Sequence, residues 1–147
     1  MPEADQPWAE NTKNQKHRLK MKNMNKNELK KEFKARIYSY ILRLVKFLAK
    51  LPKSSVNREI VNQLMRSGTS IGANYFEAQG ASSKKDYQNF FNYSLKSANE
   101  SKFWLNILLD IGCVPGSLIE ECNWLLQETK ELANIFASSV LTMKGRK

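Results

Sequence analysis

Three short breaks divide most of this sequence into four segments with a helical repeat of apolar residues, and this division constrains the fold more than any other feature. The breaks are LPKS at 51–54, the stretch from Gly80 to SSKKD at 82–86, and GCVPGS at 112–117. Each contains the Gly, Pro or Ser residues that end or begin helices. No segment has a sustained alternating run of β-branched residues, as strands do. Four long helices with short connections predict an all-α protein, an antiparallel up-down four-helix bundle.

Within each segment the apolar residues recur three or four positions apart, as on the buried face of a helix. Ser54 or Ser55 is the expected start of the second helix, and Ser83 with Asp86 forms a start that resembles a capping box. The expected core positions of the first two helices are Leu29, Phe33, Ile37, Tyr40, Ile41, Leu44, Leu48 and Leu51, then Val56, Ile60, Leu64, Gly68, Ile71 and Tyr75. Those of the last two are Tyr87, Phe91, Ser94, Ala98, Leu105 and Leu108, then Leu118, Cys122, Leu125, Thr129, Leu132, Phe136 and Met143.

Residues 1–26 have no apolar period and are rich in Pro, Asn, Gln and basic residues, so we expect a disordered basic extension there. The remaining 27–147 form the predicted four-helix bundle domain, since 147 residues make one ordinary domain. Met21 and Met24 lie within the extension, and the sequence leaves open whether translation starts at Met1, Met21 or Met24.

The chain has 24 basic and 14 acidic residues, a net charge of +10, which favours an anionic partner such as nucleic acid. The basic residues of the first helix follow a stripe beside its apolar face, and only Glu28 and Glu32 oppose them there. Long cations on a rigid helix suit phosphate contact, but lysine and arginine also decorate solvated helices that have no partner. The candidate nucleic-acid-binding residues are Lys30, Lys31, Lys34, Arg36, Arg43, Lys46, Lys50 and Lys53.

The second helix contains two glycines four positions apart, Gly68 and Gly72, although glycine costs about 1 kcal/mol relative to alanine in a helix interior. Residues four apart share one side of the helix, where missing side chains let another backbone approach. One interpretation is close packing within the bundle. The other places Asn74 and Glu77 beside a contact with a partner, whose register they fix through hydrogen bonds.

Aromatic residues of the third helix have helical spacing and are expected in the core, with Phe90 and Tyr93 able to point outward as subunit contacts. Trp124 on the last helix falls under the same interpretation. The aromatic residues concerned are Tyr87, Phe90, Phe91, Tyr93, Phe103 and Trp104.

Enzymatic function has little support in the sequence, and we expect no catalytic residues, cofactor or metal. The only histidine, His17, lies in the predicted extension, so the usual His-based sites lack their parts. Glu77 and Glu100 are candidates to face each other across helices two and three as a polar pair in the core, with a structural or interfacial hydrogen-bonding role.

The sequence also predicts the chain's compartment. It has neither a membrane-spanning run nor the features of a signal peptide, so we expect a soluble, cytoplasmic protein without a membrane partner. We expect Cys113, in a turn, and Cys122, on a helix and in the core, to be reduced thiols.

The second and third helices resemble a known family. The stretch LMRSGTSIGANYFEAQGASSKKDYQNFFNYSLKSANESKFWLNILLDIG, with LPKS before it, is similar to the four-helix bundle proteins encoded in bacterial large-subunit (23S) ribosomal RNA intervening sequences. It also resembles the accessory variability proteins of diversity-generating retroelements. The similarity spans roughly residues 28–143, and the residues that carry it are Arg66, Ser67, Thr69 or Ser70, Ile71, Asn74, Glu77, Ser97, Glu100, Trp104 and Leu105.

The resemblance implies a homo-oligomer, with a pentameric ring as its expected form, and no known catalytic residue. Some members of the retroelement branch bind nucleic acid and a reverse transcriptase, so both are candidate partners. The function predicted is a non-enzymatic oligomer that binds the phosphate backbone of RNA or DNA; the alternative is a structural or protein-binding adaptor with incidental charge. The residues expected at helix packing or at an interface are Arg66, Ser67, Gly68, Gly72, Asn74, Glu77, Glu100 and Trp104.

Overall fold

The computed structural model describes residue 19 and residues 22–145, and most of these residues lie in four α-helices joined by short connections. The described residues include no strand, so the predicted all-α fold is confirmed. Most of the expected extension at 1–26 lies outside the described residues. The helices are α1 (Lys26–Lys50), α2 (Ser55–Ala78), α3 (Lys84–Asp110) and α4 (Ile119–Met143), with a turn of 3₁₀ helix at Gly116–Leu118 before α4.

The chain separates within α1 into two units, which meet in sequence at Arg36 and Ile37. In the first unit, α1 begins with a reciprocal cap. The Glu28 backbone N–H donates to Asn25 Oδ1 at 2.9 Å, and the Asn25 N–H donates to Glu28 Oε2 at 3.4 Å. This pair satisfies two of the backbone donors that a helix start leaves unpaired.

Serine caps position α2 and α3 where the sequence predicts them. Ser54 Oγ accepts the backbone N–H of Asn57 at 3.1 Å, and Ser83 Oγ accepts that of Asp86 at 3.0 Å. Asp86 Oδ2 in turn accepts the backbone N–H of Ser82 at 3.1 Å. The side-chain oxygens replace the backbone carbonyls that the first turn of a helix lacks.

The second unit contains the bundle, in which each helix packs against its neighbours in the chain. α2 packs on α3 and α3 on α4. α4 returns to α1, because the Tyr40 and Thr129 hydroxyls are hydrogen-bonded at 2.6 Å in the core. Burial raises the pKa of Tyr40 to about 12. Short connections between adjacent helices give the up-down arrangement expected from the sequence.

Gly68 and Gly72 let α1 approach α2 closely. A Cβ atom at Gly68 would overlap Leu44 Cδ2, and one at Gly72 would overlap Ile41 Cδ1 and lie 3.1 Å from Ile37 Cγ2. The two glycines therefore serve close packing inside the bundle, the first of the two interpretations that their spacing allows.

Two features join α3 to its neighbours. Ser94 Oγ donates to the Ile71 carbonyl at 2.8 Å. The rings of Tyr75, Phe91 and Phe136 meet with centroids 5.4–6.3 Å apart, which links α2, α3 and α4. Edge-to-face contacts of this kind add about 0.5–1.5 kcal/mol per pair beyond the area they bury.

The predicted core is largely the observed one, and Phe47 and Val56 are the largest departures from it in the first two helices. Phe47 is only 1% exposed although the sequence analysis omits it, whereas Val56, expected in the core, is 56% exposed. The buried face of α2 runs through Asn57, Ile60 and Leu64, and Val56 lies to one side of it. No helix in the described part of the chain is long and apolar enough to cross a membrane.

Candidate nucleic-acid interface

Charge is divided unequally between the helices. α1 has eight basic and two acidic residues, whereas α4 has one basic and four acidic residues. The positive charge that favours an anionic partner is therefore concentrated on α1 rather than spread over the helices.

Arg43 joins α1 to α4. Its Nε and Nη2 both donate to Glu121 Oε1, at 2.9 and 2.6 Å, and its guanidinium lies 3.3 Å from the centroid of the Trp124 ring. A guanidinium combines an ion pair with stacking on an aromatic face better than an ammonium does. Arg43 is thus held in place, and a carboxylate already balances part of its charge.

The carboxylate that opposes Arg43 comes from α4, outside the segment in which the sequence shows only Glu28 and Glu32. Glu121 and Trp124 were missed as its partners because they lie about 80 residues further along the chain. Their spacing of three places both on one face of α4, but nothing in the sequence pairs that face with Arg43.

Three lysines near Arg43 keep exposed side chains. Lys46 and Lys50 follow at three and seven positions on α1, so they lie on the same side of the helix as Arg43. Lys53 is exposed in the connection to α2. Within residues 22–145 none of the three forms an ion pair. These three exposed ammonium groups are here called the lysine face.

The remaining candidates for phosphate contact belong to the first unit. Lys30, Lys31 and Lys34 are exposed or half-buried on the first turns of α1, and Arg36 follows them at the end of that unit. The structure therefore places all eight predicted cations on α1 or in the connection just after it.

A shallow hollow beside Arg43 is less suited to an anion than the lysine face. It is lined by Arg43, Ser117, Glu120, Glu121 and Trp124. The two carboxylates oppose phosphate, and the only cation among these residues is already paired. No group of three or more His, Cys, Asp or Glu side chains among the described residues is arranged to hold a metal ion.

The residues expected at helix packing or at an interface divide into two groups. Ser67, Gly68 and Gly72 are buried within the bundle, and the Ser67 hydroxyl is hydrogen-bonded to that of Ser101 at 2.9 Å. These residues pack α2 against its neighbours. The exposed or half-buried group consists of Arg66, Asn74, Glu77, Glu100 and Trp104.

The exposed group makes local contacts. Asn74 Nδ2 donates to the Ser70 carbonyl one turn earlier at 2.9 Å. Trp104 Nε1 donates to Glu100 Oε1, also one turn earlier, at 3.4 Å. Glu77 and Glu100 are both exposed, so the idea that they form a polar pair in the core is wrong. A carboxylate on the solvent side of its helix avoids the cost of burial.

The aromatic residues of α3 are less buried than their spacing suggests. Core placement is confirmed for Phe91, whereas Phe103, expected in the core, is 55% exposed. Tyr93 is 48% exposed, as its spacing allows, and its ring is in edge contact with Phe90 at 6.2 Å. Trp104 is half-buried. α3 therefore presents aromatic surface outward as well as inward.

A family model identifies the chain. The model of the 23S rRNA-intervening sequence protein matches residues 30–138, which include all but the ends of the bundle. The chain belongs to the 23S rRNA-intervening sequence protein family. This confirms the resemblance seen in the second and third helices, while the link to retroelement proteins stays a prediction.

A solved structure supports the family and its fold. The chain is 33% identical to a protein of unknown function from the S23 ribosomal protein family of Bacteroides thetaiotaomicron VPI-5482, with a TM-score of 0.63. The match covers 73% of this chain and 96% of that one. The comparison with curated proteins finds no significant match. Both comparisons therefore support the same family.

Proposed function

We propose that this protein is a non-enzymatic homo-oligomer that binds the phosphate backbone of RNA or DNA through the basic residues of α1. The observation that carries the proposal is the lysine face, Lys46, Lys50 and Lys53, which is exposed and has no ion pair in the second unit. Phosphate contact releases counterions and needs no acid, base or nucleophile. The family is named for ribosomal RNA, so RNA is the first anion to test.

Arg43 has a supporting role in this proposal. Its contacts with Glu121 and Trp124 fix α1 on α4, so the two lysines that follow it on α1 are carried by a rigid helix. A rigid array of cations binds a regular backbone with less loss of side-chain and main-chain freedom than a flexible one. Sequence-specific base recognition is not proposed, because backbone contacts carry no sequence information directly.

Assembly into a ring, with a pentamer as the expected form, is the second part of the proposal. Exposed aromatic surface on α3, at Tyr93 and Phe103, supports a subunit contact. Repetition of α1 around a closed ring multiplies its phosphate contacts and raises avidity for a long polyanion.

The second candidate function is a protein-binding adaptor, for which a reverse transcriptase is a candidate partner. The outward aromatic residues of α3 favour it, because exposed aromatic side chains are enriched at protein interfaces. An adaptor keeps its partner when the lysine face is reversed in charge and loses it when Tyr93 and Phe103 are replaced.

Retention of RNA and DNA by charge-reversed variants tests the proposal. The double variant Lys46→Glu, Lys50→Glu should bind single-stranded and duplex probes at least tenfold more weakly and with little dependence on sequence. The matched control is Lys96→Glu, Lys130→Glu, which makes the same change in net charge on α3 and α4. Equal weakening in both doubles contradicts a role for the lysine face.

A further inference from the structure

An apolar groove lies between the end of α1 and the start of α2, and Arg43 takes no part in it. The groove encloses about 370 Å³, within the range of about 300–1,000 Å³ that is usual for ligand pockets. The apolar stripe of α1 continues from it, because Tyr38 and Leu42 precede Val45 and Ala49 at helical spacing and are 59% and 42% exposed. The apolar residues that line the groove are Val45, Leu48, Ala49, Leu51, Pro52, Val61 and Met65.

One buried polar group among the groove residues lacks a partner. Asn57 is only 4% exposed, and its Nδ2 donates to the Pro52 carbonyl at 2.7 Å, but its Oδ1 accepts no hydrogen bond from the described residues. A buried acceptor without a donor is costly and uncommon in folded proteins. An occupant with a donor to Oδ1 would remove that cost. Because Oδ1 is itself buried, an occupant reaches it only by displacing a neighbouring side chain.

The charged residues of the groove are of one sign. Lys53 and Arg58 line it, and in the part of the chain that the structure describes no carboxylate does. Charge complementarity therefore favours an acidic occupant. The apolar floor favours a protein segment over a nucleic acid, which would leave that floor uncovered or require an unpaired base.

We propose that this groove binds an acidic peptide segment of a partner protein that inserts a tryptophan side chain. The indole covers the apolar floor, its N–H donates to Asn57 Oδ1, and carboxylates beside it face Lys53 and Arg58. Tryptophan combines a large apolar surface, which matches the apolar floor, with one N–H donor, which matches the acceptor Asn57 Oδ1. The proposal is independent of nucleic-acid binding, although Lys53 contributes to both surfaces.

A synthetic peptide with the sequence of residues 1–12, labelled at its amino terminus, is a suitable probe. That stretch contains Trp8 among three carboxylates, those of Glu3, Asp5 and Glu10. The receptor is the full chain with Trp8→Ala, so that its own copy of the sequence cannot compete. Fluorescence anisotropy should show saturable binding of one peptide per chain. A peptide with phenylalanine in place of tryptophan should bind about tenfold more weakly, because it lacks the donor for Oδ1.

Two receptor variants locate the binding site. Arg58→Glu reverses the charge at the edge of the groove, and Met65→Glu places a carboxylate beside the floor. Each should weaken binding at least tenfold, whereas Lys130→Glu, at an exposed position of α4 outside the groove, should leave it unchanged. Circular dichroism verifies that every variant keeps its helices.

Three outcomes would overturn the proposal. One is the absence of saturable binding at several hundred micromolar peptide. Another is binding that RNA displaces and that Arg58→Glu and Met65→Glu leave intact, because the peptide then occupies the lysine face. The third is equal affinity for the tryptophan and phenylalanine peptides, which removes the role of Asn57 Oδ1.

Discussion

The guanidinium of Arg43 lies 3.3 Å from the centroid of the Trp124 ring while it donates two hydrogen bonds to Glu121. This contact is a polar link between the first and last helices at the surface of the bundle. An arginine suits position 43 better than a lysine of the kind found at 46, 50 and 53, because a guanidinium can form the ion pair and stack on the ring at the same time.

Removal of the Arg43 charge should destabilise the bundle modestly. Arg43→Met keeps a long apolar side chain but loses the ion pair and the stacking. The side chains of Arg43 and Glu121 are 42% and 34% exposed. We expect a loss of about 1 kcal/mol in the free energy of unfolding, since partly exposed pairs and cation–π contacts are each worth at most about 1 kcal/mol. Urea denaturation measures it. In a double-mutant cycle with Trp124→Leu, the double variant should lose less stability than the sum of the two single losses, and strict additivity would contradict the contact.

Alanine at Gly68 should destabilise the protein, because the added methyl would overlap Leu44 Cδ2 in the packed core. We expect a cost of about 1–3 kcal/mol, as for other overpacked sites. Gly80→Ala is the control: its φ is not positive, and the nearest atom to its Cβ would be the Glu77 carbonyl oxygen at 3.8 Å. Thermal melts compare the two. If Gly68→Ala is as stable as Gly80→Ala, α1 and α2 are not packed as described.

Tyr40 should make stability depend on pH in alkaline solution. Burial raises the pKa of Tyr40 from 10.0 to about 12. The unfolded chain therefore loses this proton at a lower pH than the folded one, and the stabilising contribution, complete below pH 10, declines as pH rises toward about 12.

Tyr40→Phe tests this dependence. Because the variant lacks the hydrogen bond to Thr129, its free energy of unfolding at neutral pH should be lower by about 1 kcal/mol. Its stability should also fall less steeply above pH 10 than that of the wild type. Urea midpoints measured from about pH 8 to about pH 11.5, a range that spans most of the interval between the two pKa values, provide the comparison. Parallel curves would show that Tyr40 does not titrate differently in the folded state.

The two cysteines should differ in reactivity. Cys122 is buried, and burial raises the pKa of its thiol from 9.0 to about 11, whereas Cys113 is half-buried in the connection before α4. Because the thiolate is the reactive form, a disulfide reagent should label Cys113 first and Cys122 only on unfolding. Cys113→Ser should then remove the fast phase. A fast phase that persists in this variant would place Cys122 at the surface.

Helix positions could be predicted from the sequence because their determinants are local. Ser54 and Ser83 cap the predicted starts, and the three breaks end the helices near the expected residues. The close approach of α1 and α2 could also be anticipated, since two glycines on one side of a helix have few other uses. Its partner, α1 of the same chain, could not be identified from spacing alone.

The candidate site was less predictable because it depends on residues far apart in the sequence. The lysine face is found by counting positions on one helix, but the pairing of Arg43 with Glu121 requires the packing of α1 on α4. The groove was missed for the same reason. Val45 and Met65 are ordinary surface apolar residues until α1 and α2 bring them to one cavity.

The salt dependence of RNA retention tests the central claim most directly, with light scattering on the same samples to give the mass of the assembly. The logarithm of affinity should fall linearly with the logarithm of salt concentration. Lys46→Glu, Lys50→Glu should flatten that slope by about 2, because each of the two lysines neutralises one phosphate and releases its counterion. The control double on α3 and α4 should keep the wild-type slope. An intact oligomer that retains no RNA or DNA at low salt, or equal slopes in all three proteins, would contradict the account and favour the adaptor.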